Sequence, residues 1–129
     1  MTALPRFLSA DIAIAVHDRQ LAEHGGPAGV KDMGLLESAM ARPVNKHAHG
    51  EEDLCALAAA YAYGIARNHP FVDGNKRTAW VIARLFLKLN AVEIIFEKVD
   101  AIEVVLALAA GECPENALAA WFQTRVVVE

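Results

Sequence analysis

Cysteine is scarce in this chain of 129 residues: only Cys55 and Cys113 are present, far apart and without a CxxC pair. That scarcity excludes a disulfide scaffold and a cysteine-rich zinc site, and in a reducing compartment the two read as buried small hydrophobes. Long apolar runs are also missing. Although 55% of the residues are hydrophobic, no stretch approaches the ~18 uninterrupted apolar residues of a membrane span, because Arg84, Lys88 and Glu103 break the best candidates. The first residues, Met1-Thr2-Ala3-Leu4-Pro5-Arg6, show no apolar run followed by a small-residue cleavage site, so no export signal is expected and a cytoplasmic location is. Basic excess is lacking as well. With 12 Lys and Arg against 16 Asp and Glu, the formal net charge is −4, which argues against a broad nucleic-acid-binding face and leaves room only for a local anion site.

What is abundant is alanine and leucine, with helix start and stop signals recurring along the chain, so the expected fold is all-α in a single domain spanning residues 1–129. The expected architecture is a compact bundle of about six helices with at most a short hairpin. Ser9 caps a first helix from Ala10 to His24, which Gly25-Gly26-Pro27 stops. Asp32 caps a second, short helix that Arg42-Pro43 ends near Ala41, because a residue before proline avoids helical angles. The polar segment Arg42 to Glu51 then reads as an exposed loop or hairpin, the natural place for a functional flap. A third helix from Asp53 to Asn68 is almost free of polar residues and must be buried on most sides. A fourth begins near Asn75, which can cap it, and runs to Asn90. Its Arg77, Arg84 and Lys88 fall on one stripe of an otherwise apolar surface, which makes it a central buried helix with that stripe at the surface or in a cleft. Val92 to Phe96 reads as a brief strand. Asp100 and Glu103 match a capping box opening a fifth helix that ends at Gly111, and Pro114 opens a sixth reaching Thr124. The tail Val126-Val127-Val128 is β-prone, able to pack, pair or fray.

The densest chemistry lies in His69-Pro70-Phe71-Val72-Asp73-Gly74-Asn75-Lys76-Arg77-Thr78. A helix N-terminus leaves backbone N–H groups unpaired and carries about half a positive charge, so it is an anion site before any side chain is counted. Gly74 lets the turn approach a phosphate, and Asn75, Lys76 and Arg77 occupy the first turn. Arg77 offers a planar fork to phosphate oxygens, and Lys76 a compact second charge. Asp73 is the one carboxylate among these cations, enough for Mg²⁺ when phosphate oxygens and water complete its shell. His69 has the intrinsic pKa of a general base near neutral pH. Taken singly, these residues read as a loop histidine, a turn former, a cap and solvated charges; clustered between two apolar helices, they read as a site. His17, His24, His47 and His49 lack the carboxylate or cysteine company of a metal site and stay unassigned. Tyr61 and Tyr63 read as core and rim.

The stretch HPFVDGNKR resembles the signature of the Fic/Doc superfamily and, within it, the Doc (death on curing) toxin branch of toxin–antitoxin modules. Upstream, His17-Asp18, Gly25-Gly26, Gly29, Asp32, Gly34 and Glu37 look like the Doc N-terminal pattern, so the resemblance spans nearly the whole chain. It implies a helical Fic/Doc fold whose central helix follows the motif loop. In Fic enzymes the related motif HPFx(D/E)GNGR serves AMP transfer from ATP to a target hydroxyl. Carried over, His69 is the base, Asp73 holds Mg²⁺, Gly74 and Asn75 line the anion hole, and Arg77 engages the distal phosphates. Lys76 stands where Fic enzymes have a second glycine. That substitution marks the Doc branch, and it fills room a polyphosphate would use; ATP bound the other way round then presents its γ-phosphate. Doc-like toxins are protein kinases acting on translation elongation factor Tu.

The resemblance therefore implies a type II toxin with ATP and Mg²⁺ as cofactors and elongation factor Tu as protein substrate. The inhibitory helix pattern (S/T)xxxE(G/N) of self-restrained Fic proteins is absent, which implies control by a cognate antitoxin, a small DNA-binding protein with a helical neutralising segment. Two alternatives stand beside this reading. One is a Fic-type adenylyltransferase, and the other a catalytically silent subunit that modulates the antitoxin's DNA binding.

Overall fold

Ser9, Asp32 and Asp53 each turn a side-chain oxygen onto a backbone N–H two or three residues ahead, at Ile12, Leu35 and Cys55. Each thereby satisfies one of the donors a helix start leaves open. The helices they open are α1 (Ala10–His24), α2 (Met33–Ala48) and α3 (Leu54–Asn68), followed by α4 (Asn75–Leu89), α5 (Lys98–Ala109) and α6 (Glu115–Gln123). This is the architecture of a computed structural model that describes residues 4–128. Among the described residues no strand forms, only two isolated antiparallel bridges, Val30 with Phe71 and Ile94 with Val126. The all-α expectation holds. No helix among the described residues is long and apolar enough to cross a membrane.

The core is organised around the pair α3 and α4. α3 packs against α2, α4 and α6, and its alanines, with Leu57, Tyr61 and Ile65, are buried nearly all the way round. Small side chains let the neighbours come close. At Gly64 the approach is close, since a Cβ there would lie 3.1 Å from the Ala39 Cα on α2. α4 buries Thr78, Ala79, Ile82, Ala83, Phe86 and Leu87, while Arg77, Arg84 and Lys88 line its exposed side as their spacing foretold. Trp80 packs with Phe96, Trp121 and Phe122 into an aromatic group that ties α4 to α6.

The expected break at Arg42-Pro43 does not occur, and this is the main correction to the sequence reading. α2 runs through Pro43 to Ala48, so the segment Arg42 to Glu51 is mostly helix rather than a flap. A proline inside a helix costs about 3 kcal/mol, and tertiary packing offsets it. Pro43 is buried, and the residues on either side are tied across the protein, Arg42 Nε to Glu115 Oε1 at 2.6 Å and Lys46 Nζ to Glu115 Oε2 at 2.7 Å. The Arg42 guanidinium also lies 4.9 Å from the centre of the Tyr63 ring. The polar residues that suggested a loop are the solvent face and C-terminal cap: His49 Nδ1 and Asn45 O are 2.7 Å apart, and His47 Nδ1 and Glu51 O 2.9 Å.

Two smaller differences lie further on. α5 starts at Lys98, with Glu97 at the cap position and no side-chain cap bond. Asp100 therefore sits in the first turn, where it suits the helix dipole and lies 3.9 Å from Arg125. The strand expected at Val92 to Phe96 reduces to the single bridge at Ile94, with Ile95 N–H bonding Arg125 O and Val127 N–H bonding Glu93 O. The tail thus pairs within its own chain.

Candidate active site

The motif forms the corner between α3 and α4. His69 follows the last residue of α3 in a left-handed conformation, φ 49°, and its N–H still bonds Ile65 O at 3.1 Å. A non-glycine residue there carries strain of order 1 kcal/mol, so the corner must be held from outside. Pro70 is buried, and its carbonyl accepts the N–H of Lys31 at 2.7 Å and of Asp32 at 3.1 Å. Val72 N–H bonds Gly29 O at 3.1 Å. Phe71 is fully buried and stacks on the His17 ring, centroids 3.9 Å apart. The Asn75 side chain closes the loop from inside, its Oδ1 accepting from Phe71 N–H at 2.9 Å and its Nδ2 donating to Phe71 O at 3.0 Å. The same Nδ2 lies 3.3 Å from His69 Nδ1, close enough to orient the imidazole.

Gly74, at φ 75°, occupies the cap position of α4 that Asn75 was expected to take, and it brings no side chain to satisfy the first turn. The first intrahelical bond runs from Thr78 N–H to Gly74 O. Among the described residues the N–H groups of Asn75, Lys76 and Arg77 have no acceptor, which leaves them open to an external one. Lys76 and Arg77 are exposed and, among the described residues, form no ion pair. A cleft of about 900 Å³ begins at this corner and extends to α5, a volume suited to a nucleotide. His69 and the charged Asp73, Lys76, Arg77, Arg84 and Lys98 line it together with the apolar Trp80, Phe96, Ala101, Val105 and Ala109, and the Arg84 guanidinium lies 5.0 Å from the centre of the Phe96 ring. Asp73 is the one carboxylate among its described lining residues.

All the residues expected from the sequence to form the site, His69, Asp73, Gly74, Asn75, Lys76 and Arg77, line this cleft. Asn75 differs in kind, because its side chain is spent on the loop and only its backbone N–H is free for a ligand. No group of three or more His, Cys, Asp or Glu among the described residues could hold a metal by itself. A lone exposed Asp73 beside two cations fits a divalent ion that arrives with a polyphosphate and takes most of its ligands from it. The displaced pKa values lie outside the cleft. Burial, aided by the Asp53 charge, pushes the Cys55 thiol up to about 11, and burial pushes the Tyr61 phenol up to about 12 despite its hydrogen bonds with Leu8.

Two contributors were not legible from the motif. His17, on α1, is 1% exposed and its Nε2 lies 2.7 Å from Asp73 O. Gly26, at φ 119°, passes so close that a Cβ there would lie 3.2 Å from Asp73 Oδ2. Both belong to the upstream Doc-like pattern, which hinted at their importance without showing what they touch.

Residues 7–87 match the model of the Fic/DOC family, so the chain belongs to that family. Among characterised relatives, the chain is 35% identical over 115 residues to "Protein kinase doc" of Escherichia phage P1, covering 88% of this chain and 90% of that protein. It is 40% identical over 101 residues to "Toxin Doc" of Mycolicibacterium smegmatis, covering 74% and 77% respectively.

Proposed function

We propose that this chain is the toxin of a toxin–antitoxin module, a protein kinase that moves the γ-phosphoryl group of ATP to a hydroxyl of translation elongation factor Tu and so arrests translation. The observation that carries the proposal is the convergence of His69, Asp73, Lys76 and Arg77 on the open N-terminus of α4 at the mouth of one cleft. The names of the two relatives support the toxin and kinase classes.

In this reading His69 takes the proton from the target hydroxyl as its oxygen bonds the γ-phosphorus. The bond from that phosphorus to its bridging oxygen breaks, and ADP leaves. The free N–H groups of the α4 first turn, with Lys76 and Arg77, meet the charge on the phosphate oxygens. Asp73 would hold Mg²⁺, which when bound neutralises charge shared by neighbouring phosphates. A lysine at position 76, where Fic enzymes have a second glycine, supports phosphoryl over adenylyl transfer, because it adds bulk and charge at the turn where a glycine would leave space. The apolar residues lining the cleft are dry ground for the rest of the nucleotide. Control then falls to a cognate antitoxin.

The test is to incubate the protein with Mg-ATP and bacterial elongation factor Tu and weigh the target. A gain of about 80 Da, one phosphoryl group, is expected. A gain of an AMP unit would instead assign the Fic-type reaction, and an unmodified target with undiminished toxicity of His69→Ala would assign a non-catalytic role.

A further inference from the structure

We infer that His17 is a positioning residue of this site: a hydrogen bond from α1 fixes the direction of the Gly74 N–H, one of the donors presented to the anion. The inference rests on the phosphate-handling reading above, but it concerns a side chain that reading does not use.

His17 is enclosed, 1% exposed, and its Nε2 is 2.7 Å from the Asp73 carbonyl oxygen. A carbonyl only accepts, so Nε2 carries the hydrogen and donates. The ring cannot turn away, because it lies flat on Phe71 with an interplanar angle of 6° and centroids 3.9 Å apart. A trans peptide is planar, with its C=O and N–H pointing in opposite directions. Holding the Asp73 carbonyl toward α1 therefore turns the Gly74 N–H to the other side. Among the described residues that N–H has no acceptor, and Gly74 lines the cleft.

The lock is needed because the turn does not supply one. Glycine tolerates both signs of φ, so Gly74 alone does little to stop the Asp73–Gly74 peptide from flipping. A flip would aim a carbonyl oxygen where the anion needs a donor. It would also move the backbone that carries Asp73. A single buried histidine on a different helix prevents this, and its ring stacking sets the register between α1 and the motif corner.

Substitution in the whole protein separates the two functions of the ring. His17→Phe keeps the stack and removes the donor; His17→Gln keeps an N–H of similar reach and removes the ring. Three quantities are read for each: thermal midpoint, the Gly74 amide position in a ¹H–¹⁵N spectrum, and kcat and KM for ATP. His17→Phe should fold, shift or broaden the Gly74 amide peak, and lower kcat about tenfold to a hundredfold with a much smaller change in KM. His17→Gln should bring both the amide peak and kcat back toward wild type. If His17→Phe does not fold, His17→Asn, whose amide is too short to reach Asp73 O, takes its place. The inference is overturned if His17→Gln recovers the Gly74 amide position no better than the donor-less variant, or if that variant keeps the wild-type peak. Should the wild-type protein transfer nothing, the proposed function fails while the amide comparison still decides the part played by His17.

Discussion

At the scale of single residues, the site sets function against stability. Lys76 and Arg77 occupy the first turn of α4, where the helix dipole repels cations, and neither is paired with a carboxylate among the described residues. An anion bound at this turn, as proposed above, would offset that repulsion. Lys76→Ala should therefore stabilise the free protein by about 0.3–1 kcal/mol, read as a higher denaturation midpoint, while lowering transfer at least tenfold; a variant both less stable and fully active would contradict the placement of Lys76. The grouping of these residues was legible in the sequence because it is local: imidazole, carboxylate, turn and cations fall within ten consecutive positions and line one cleft. The contributions of His17 and Gly26 were not, because their meaning lies in what the fold brings to them. A histidine between Val16 and Asp18 shows no partner in the sequence, and its partner is a main-chain oxygen 56 positions away.

At the scale of helices, capping residues and apolar periodicity located most elements, and one local rule misled. Proline ended α2 in the sequence reading because propensity weighs only neighbours along the chain, whereas Glu115 reaches both Arg42 and Lys46 from α6. α5 was displaced for a related reason, Asp100 serving as a first-turn acid near Arg125 rather than as the cap. A close contact between helices was also invisible beforehand. Gly64 reads as a weak point inside a helix, yet it is where α2 and α3 meet, with the Ala39 main chain 3.1 Å from a would-be Cβ. Helix propensity alone predicts that Gly64→Ala stabilises by roughly 0.5–1 kcal/mol. The contact predicts the reverse, a loss of about 1–3 kcal/mol from overpacking, and equilibrium urea denaturation of the two proteins distinguishes them.

At the scale of the whole molecule, a net negative protein lines one cleft with Lys76, Arg77, Arg84 and Lys98 against the single carboxylate of Asp73 among its described lining residues, and two buried acids link its stability to pH. Cys55 and Tyr61 hold their protons to about 11 and about 12 in the fold, against 9.0 and 10.0 ordinarily. Between those limits the unfolded chain has released protons that the folded chain retains, so stability is full below the ordinary values and falls as pH rises through the folded ones. Urea midpoints measured from about pH 8 to pH 12 should decline, and Tyr61→Phe should flatten the upper part of that decline; an unchanged slope would show that the phenol contributes nothing. The central claim, that this cleft turns the γ-phosphorus of ATP toward a protein hydroxyl, is tested most directly by asking which phosphorus is transferred. Elongation factor Tu incubated with the protein and ATP labelled at either the α or the γ position should acquire only the γ label, and none with His69→Ala. Acquisition of the α label would contradict it.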